Sequence, residues 1–129
     1  MKSLSKIEQI KNLAVCSPVI AFNYSSSDFG DVTVLKSTIS SKNLGIVNTS
    51  NGLKTPKWFY EIAKNKSSHT IVIENIDLVS EESQEKFYEL LKYKEISNVA
   101  LPKDVKIIVL AKDLKKVSKS ILSLCVIAD

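Results

Sequence analysis

The sequence predicts a three-layer α/β sandwich around a mainly parallel sheet of five strands. Residues 69–77, HTIVIENID, carry the first observation: Thr70 to Ile73 are all β-branched, and Glu74 closes the run with a carboxylate. A continuous apolar run of this length reads as a strand buried on both faces. The pattern recurs at residues 105–113, VKIIVLAKD. The third observation is the alternation of such runs with helical patterns, which implies parallel strands joined by helical crossovers. Carboxylates at the C-terminal ends of strands stand where open α/β sheets place ligands, so Glu74 marks the region to inspect.

The chain in order supports that frame. Ser3 and Ser5 are candidate N-caps for a helix over residues 3–15, with Ile7, Ile10, Leu13 and Ala14 at helical spacing. Ser17-Pro18 ends it, because the residue before proline avoids the helical region. Residues 18–22, PVIAF, form the first strand, and residues 23–30, NYSSSDFG, a polar loop. Residues 31–41 place Val32, Leu35 and Ile39 at helix-like spacing, although VTV and STI also suit a strand. Residues 44–47 are the second strand and residues 49–53, TSNGL, a turn. Thr55 as N-cap and Pro56 at the first helical position start a helix with Trp58, Phe59, Ile62 and Ala63 on its apolar side, closing over residues 64–68. The third strand follows. Ser80, with Glu81 and Glu82 behind it, caps a helix that faces Phe87, Leu90 and Leu91 inward. Residues 96–104 read as a loop and 105–111 as the fourth strand. Residues 113–122 read as a helix with Val117 and Ile121 inward, and 125–128 as the fifth strand.

The length, 129 residues, suits one domain that buries roughly two thirds of its unfolded surface, so residues 1–129 are expected to form a single unit. All 18 basic residues are lysines, which removes bidentate guanidinium chemistry. A net charge of +4 permits nucleic-acid contact without demanding it. Cys16 and Cys125 read as buried free thiols in apolar surroundings, with a disulfide unsupported. The first residues lack a signal peptide's apolar core, and no run reaches the ~20 apolar residues of a membrane span. The expectation is a soluble cytoplasmic protein with no membrane contact.

Residues 54–128 resemble the core of AAA+ ATPases, above all the MoxR-like branch, with clamp-loader subunits nearly as similar. The stretches that carry the resemblance are TPKWFYEIAKN, TIVIENIDLVSEESQEKFYELLKY, ALPKDVKIIVLAKDL and VSKSILSLCVIAD. They stand where the family has its Pro-led helix, Walker B strand and helix, sensor 1 strand and end segment. The resemblance implies a P-loop-NTPase-like sheet in the order 5-1-4-3-2.

The family's functional residues carry over poorly. The phosphate loop falls on residues 25–32, SSSDFGDV. Gly30 keeps a family glycine, but Asp31 stands at the lysine position and Val32 at the hydroxyl position. A carboxylate facing a triphosphate is repulsive. Walker B ends in Glu74-Asn75, and Asn75 cannot act as a base toward water. Sensor 1 falls on Lys112, and the arginine finger near Leu124. The chain stops at the fifth strand, before the family's helical lid. Altered stations throughout argue against hydrolysis and imply no bound cofactor and no metal.

Two further clusters admit two readings each. Glu74, Asn75 and Asp77 could ligate a divalent cation, or they cap the following helix beside a solvated cleft. Lys112, Lys115, Lys116 and Lys119, with Lys103 and Lys106 nearby, could contact a phosphate backbone, or they form a solvated face tempered by Asp104 and Asp113. Trp58 and Phe59 are expected in the core, with Tyr60 half exposed. The function expected is a non-catalytic AAA+-like module with a protein partner, such as an active ATPase or a replication complex of clamp-loader type. The alternatives are a nucleic-acid-binding module using residues 103–119 and, behind it, an atypical ATP-binding protein.

Overall fold

The computed structural model describes residues 2–64 and 69–128. Its middle layer is a five-stranded sheet of β1 (Val19–Phe22), β2 (Thr33–Lys36), β3 (Thr70–Glu74), β4 (Lys106–Ala111) and β5 (Val126–Ala128). The order is β5-β1-β4-β3-β2, and every pairing is parallel. This is the P-loop-NTPase-like order that the resemblance implies, and it differs from both doubly wound orders of dinucleotide-binding and flavodoxin-like sheets. Ile71, Val72 and Ile73 of β3 and Ile108 and Val109 of β4 have no exposed surface, as strands covered on both faces require.

The helices are α1 (Lys2–Leu13), α2 (Ser41–Leu44), α3 (Lys57–Lys64), α4 (Glu81–Gln84), α5 (Tyr88–Tyr93) and α6 (Lys119–Leu122). One sheet face packs Ile20, Leu35, Ile71, Ile73, Ile107 and Val109 against Trp58, Phe59, Ile62, Phe87, Leu90 and Ile121. The opposite face packs Val19, Ala21, Val72, Ile108 and Leu110 against Ile10, Ala14 and Phe29. The layers are therefore unequal. Most helices share one face, and α1 with the segment carrying Phe29 covers the other.

Several elements differ from the sequence reading. Ser3 and Ser5 lie within α1, not at its cap, since the helix already includes Lys2. Residues 33–36 are the second strand of the sheet, not part of a helix, so the β-branched character of Thr33 and Val34 outweighs the helix-like spacing. Leu44, taken with residues 45–47 as a strand, ends α2 instead. Val47–Thr49 pairs antiparallel with Gly52–Lys54 in a hairpin outside the main sheet. Gly52 takes φ +112° at its turn, a conformation glycine adopts freely. Pro56 precedes α3, and its carbonyl accepts the first helical bond from the Tyr60 N–H at 3.0 Å. The expected closure of that helix at residues 65–68 lies outside the described residues.

The long helix expected after Ser80 is interrupted. Ser80 caps it as anticipated, its hydroxyl accepting from the Ser83 N–H at 3.2 Å, but a 3-10 turn at Glu85–Phe87 separates α4 from α5. The loop expected over residues 96–104 contains a small hairpin, Glu95–Ile96 with Val99–Ala100. Its turn residues Ser97 and Asn98 both have positive φ, and the Glu89 carboxylate accepts their N–H groups at 3.0 and 2.7 Å. The helix expected over residues 113–122 is split into a 3-10 turn at Leu114–Lys116 and α6. The Asp113 carboxylate caps the first part by accepting the Lys115 N–H at 3.0 Å. Val117 is extended and buried between the two parts, which positions Ile121 in the core.

Candidate functional site

Ser25, Glu74, Asn75 and Lys112 stand at the C-terminal ends of β1, β3 and β4, with Lys115, Lys116 and Lys119 following, whereas Gly30, Asp31 and Val32 lead into β2 at the opposite edge of the sheet. Between β1 and β2 the chain crosses two intervening strands through residues 23–32. The only helical structure in that crossing is one 3-10 turn, Ser26–Phe29. The helix that follows the phosphate loop in AAA+ proteins therefore has no counterpart here. Phe29, 1% exposed, plugs the sheet face instead, its ring 5.8 Å from that of Tyr24.

The polar groups of this crossing are engaged with one another. The Ser25 N–H and hydroxyl donate to Asp28 Oδ2 at 2.8 and 3.3 Å, and the Asp28 N–H donates to the Ser25 carbonyl at 3.0 Å. The Gly30 N–H donates to the Ser27 carbonyl at 3.4 Å. Gly30 has φ +83°, so it retains a glycine for backbone reasons alone. Asp31 is exposed, and Val32 packs against the α1-side core and does not face a ligand. Ser26, half-buried, donates its hydroxyl to Glu74 Oε2 at 2.9 Å. Ser26 thus places a hydroxyl on the Glu74 carboxylate, a pairing that the sequence reading, which set Val32 at the hydroxyl position, does not find.

Asn75 sits in the left-handed region at φ 49°, ψ 53° and leads into the 3-10 turn Ile76–Leu78. That turn presents Asp77 to the neighbouring loop. Asp77 Oδ2 accepts the backbone N–H groups of Lys112 and Asp113 at 3.0 and 2.9 Å. Its Oδ1 is buried and has no hydrogen-bond partner among the described residues. Asp77 is therefore a brace between the loops after β3 and β4. It is the Lys112 main chain that is held, while the Lys112 side chain is exposed.

These residues do not fit the magnesium-nucleotide site found in AAA+ ATPases. The loop N–H groups of Ser25, Asp28 and Gly30 are bonded internally, and no helix follows to present further ones. Asp28 in the loop and Glu74 beside Ser26 would meet phosphates there with negative charge, whereas Asp31 lies two residues before Thr33, whose sheet partner is Ile71, and so stands at the opposite edge of the sheet from Glu74. Among the described residues no group of three His, Cys, Asp or Glu side chains could hold a metal ion.

A second polar network lies beside the site. Gln84 is fully buried, and its amide Nε2 donates to the carbonyls of Val79 and Lys116 at 3.1 and 2.8 Å. Its Oε1 accepts the Ser118 N–H at 2.7 Å. The Ser118 hydroxyl donates to Glu85 Oε1 at 2.8 Å, and Ser120 donates to the same oxygen. Hydrogen bonds from Ser120 and Ser118 hold the Glu85 carboxyl below its usual range. The sequence signal was available: Gln84 is a polar residue on the inward stripe it shares with Phe87 and Leu91.

Lys112, Lys115, Lys116 and Lys119 are all exposed along the segment after β4, and Lys103 is exposed before it. Leu78 and Leu114 stand on the same rim, 72% and 42% exposed. Trp58 and Phe59 are buried edge to face, 5.8 Å apart at 81°, and the Trp58 indole N–H donates to the Leu44 carbonyl at 3.2 Å. Tyr60 is exposed. Burial pushes the Cys125 thiol up to about 12, whereas Cys16 is exposed. Among the described residues no helix is long and apolar enough to cross a membrane.

No protein-family model matches the chain, and no curated protein matches it in sequence. Among solved structures, the crystal structure of NtrX from Brucella abortus is similar, with a TM-score of 0.53 and 14% sequence identity. The match covers 88% of this chain and 30% of NtrX. At that identity the likeness concerns the fold alone.

Proposed function

We propose that this domain is a cytoplasmic, non-catalytic AAA+-like module that acts through protein contacts, assembling with or regulating an active ATPase, as in a replication complex of clamp-loader type. The observation that carries this reading is the crossing from β1 to β2: the phosphate-binding helix is replaced by a short plug anchored by Phe29, and the Ser26 hydroxyl engages Glu74. The retained parallel sheet supports a role for the scaffold. The exposed Leu78 and Leu114 beside the altered site support a contact surface there. The test is magnesium-dependent ATP hydrolysis by the purified domain. The expected rate is indistinguishable from buffer, and hydrolysis that disappears in Glu74→Ala would overturn the reading.

A second reading rests on the exposed row Lys112, Lys115, Lys116 and Lys119. A phosphate-backbone surface there predicts salt-sensitive DNA affinity that weakens when Lys115 and Lys116 become Glu. Asp77, Glu81 and Asp113 are interspersed with these lysines and reduce the local potential, which is why this reading stands second.

A further inference from the structure

A cavity of about 410 Å³ is bordered by α2, the hairpin of residues 47–54 and the start of α3. Its polar lining comes from Lys42, Lys54, Lys57, Asn43, Thr49 and Thr55. The three lysines arrive from three separate elements, and among the described residues no carboxylate lines the cavity. The volume falls within the ~300–1,000 Å³ typical of small-molecule sites. Three lysines in one lining give the cavity a positive potential, which an anionic ligand offsets. Lys57 sharpens this, because it occupies the first turn of α3, where the helix dipole disfavours a cation and no acidic residue stands.

We infer that this cavity binds a small ligand carrying two or more adjacent phosphate groups. Three ammonium groups exceed what one phosphate needs and suit a di- or triphosphate. Asn43 and Thr55 offer further hydrogen bonds at the same wall. Such chemistry is shared by inorganic polyphosphate and by nucleoside polyphosphates. The site lies apart from Ser26 and Glu74, so binding there carries no implication of hydrolysis.

The test is calorimetric titration of the whole chain with sodium tripolyphosphate and, separately, with ATP, at low ionic strength and without magnesium. Saturable binding at one site is expected. The Lys54→Glu/Lys57→Glu variant should weaken it at least tenfold, and Lys42→Ala/Lys57→Ala several-fold. Lys11→Glu/Lys92→Glu, which changes net charge equally elsewhere, should alter it less than twofold, as should Glu74→Gln. Circular dichroism checks that each variant is folded. Tripolyphosphate binding as tightly as ATP identifies the phosphates as the recognised group, and tighter ATP binding adds the nucleoside. No saturable binding of either probe, or equal weakening by both charge reversals, overturns the inference and leaves the proposed function standing. Binding lost in Glu74→Gln but kept in the lysine variants would overturn both.

Discussion

Replacing Phe29 with alanine tests whether the crossing from β1 to β2 is a fixed part of the core or a loop that can open. Phe29 is 1% exposed and packs among Ile10, Ala14, Val19, Ala21, Val72, Ile108 and Leu110. Truncating a buried phenylalanine costs about 3–5 kcal/mol, from lost transfer energy and the cavity left behind. The tilted contact with Tyr24 contributes roughly 0.5–1.5 kcal/mol beyond area burial, already contained in that range. A domain of this kind has about 5–15 kcal/mol of stability in all, so Phe29→Ala should remain folded but much weakened. Guanidinium unfolding followed by circular dichroism measures the change. With a slope of roughly 4 kcal/mol/M, the midpoint should fall by about 1 M at unchanged slope. Phe29→Leu should lose about a third as much. A midpoint within about 0.2 M of the parent chain for Phe29→Ala would mean that the plug is detachable. The argument that the loop cannot rearrange around phosphates would then fail.

Gln84→Ala leaves two carbonyls and one N–H without their partner. It should destabilise by about 2–4 kcal/mol, read as a drop of roughly 8–15 °C in Tm. Asp77→Ala should cost about 1–3 kcal/mol through the two N–H groups it releases. Added magnesium should not raise the Tm of the parent chain, whereas a cation held at Asp77 would. Glu85 has a depressed carboxyl in the folded state, so its contribution is fully present above the unfolded carboxylate range and is lost as pH falls through the lower folded value. Ser120→Ala should move its NMR titration upward toward the ordinary carboxylate range, and an unmoved titration would remove Ser120 as the cause. At pH 8 a thiol reagent should modify Cys16 rapidly and Cys125 only on unfolding, since burial keeps Cys125 protonated. Two equally fast thiols would contradict that assignment.

What could be read from the sequence follows what each residue's neighbours impose. Residues 70–74 and 106–111 were legible because strands buried on both faces have no room for polar side chains, and their apolar runs are continuous. The strand order came from the resemblance, since periodicity does not encode which strands are neighbours. Residues 33–36 were misread because β2 is an edge strand with Leu35 buried and Val34 41% exposed, so its pattern is that of half a helix as much as half a strand. The shift of the second strand then displaced α2 and the adjacent hairpin. In the site, the departures at Asp31, Val32 and Asn75 were visible as identities. The Ser26 to Glu74 bond was not, because the two residues are brought together only by a crossing whose helix is missing. Asp77 was read as a metal ligand or a cap because its partners are backbone N–H groups, which carry no residue signature.

The sheet order also dictates when the protein can fold during its synthesis. β1 is the first strand to be made, yet its neighbours on either side, β4 and β5, are the last two. Before residue 106 is made, β2 and β3 are the only strands of the main sheet with a partner to pair with. Val19, Ile20 and Ala21, each with no exposed surface in the finished fold, have no strand to pair with until residues 106–111 have left the ribosome. Pairings this distant in sequence close slowly, and an apolar segment left waiting invites association with other chains. A chain interrupted before residue 106 should therefore yield no stable half-domain.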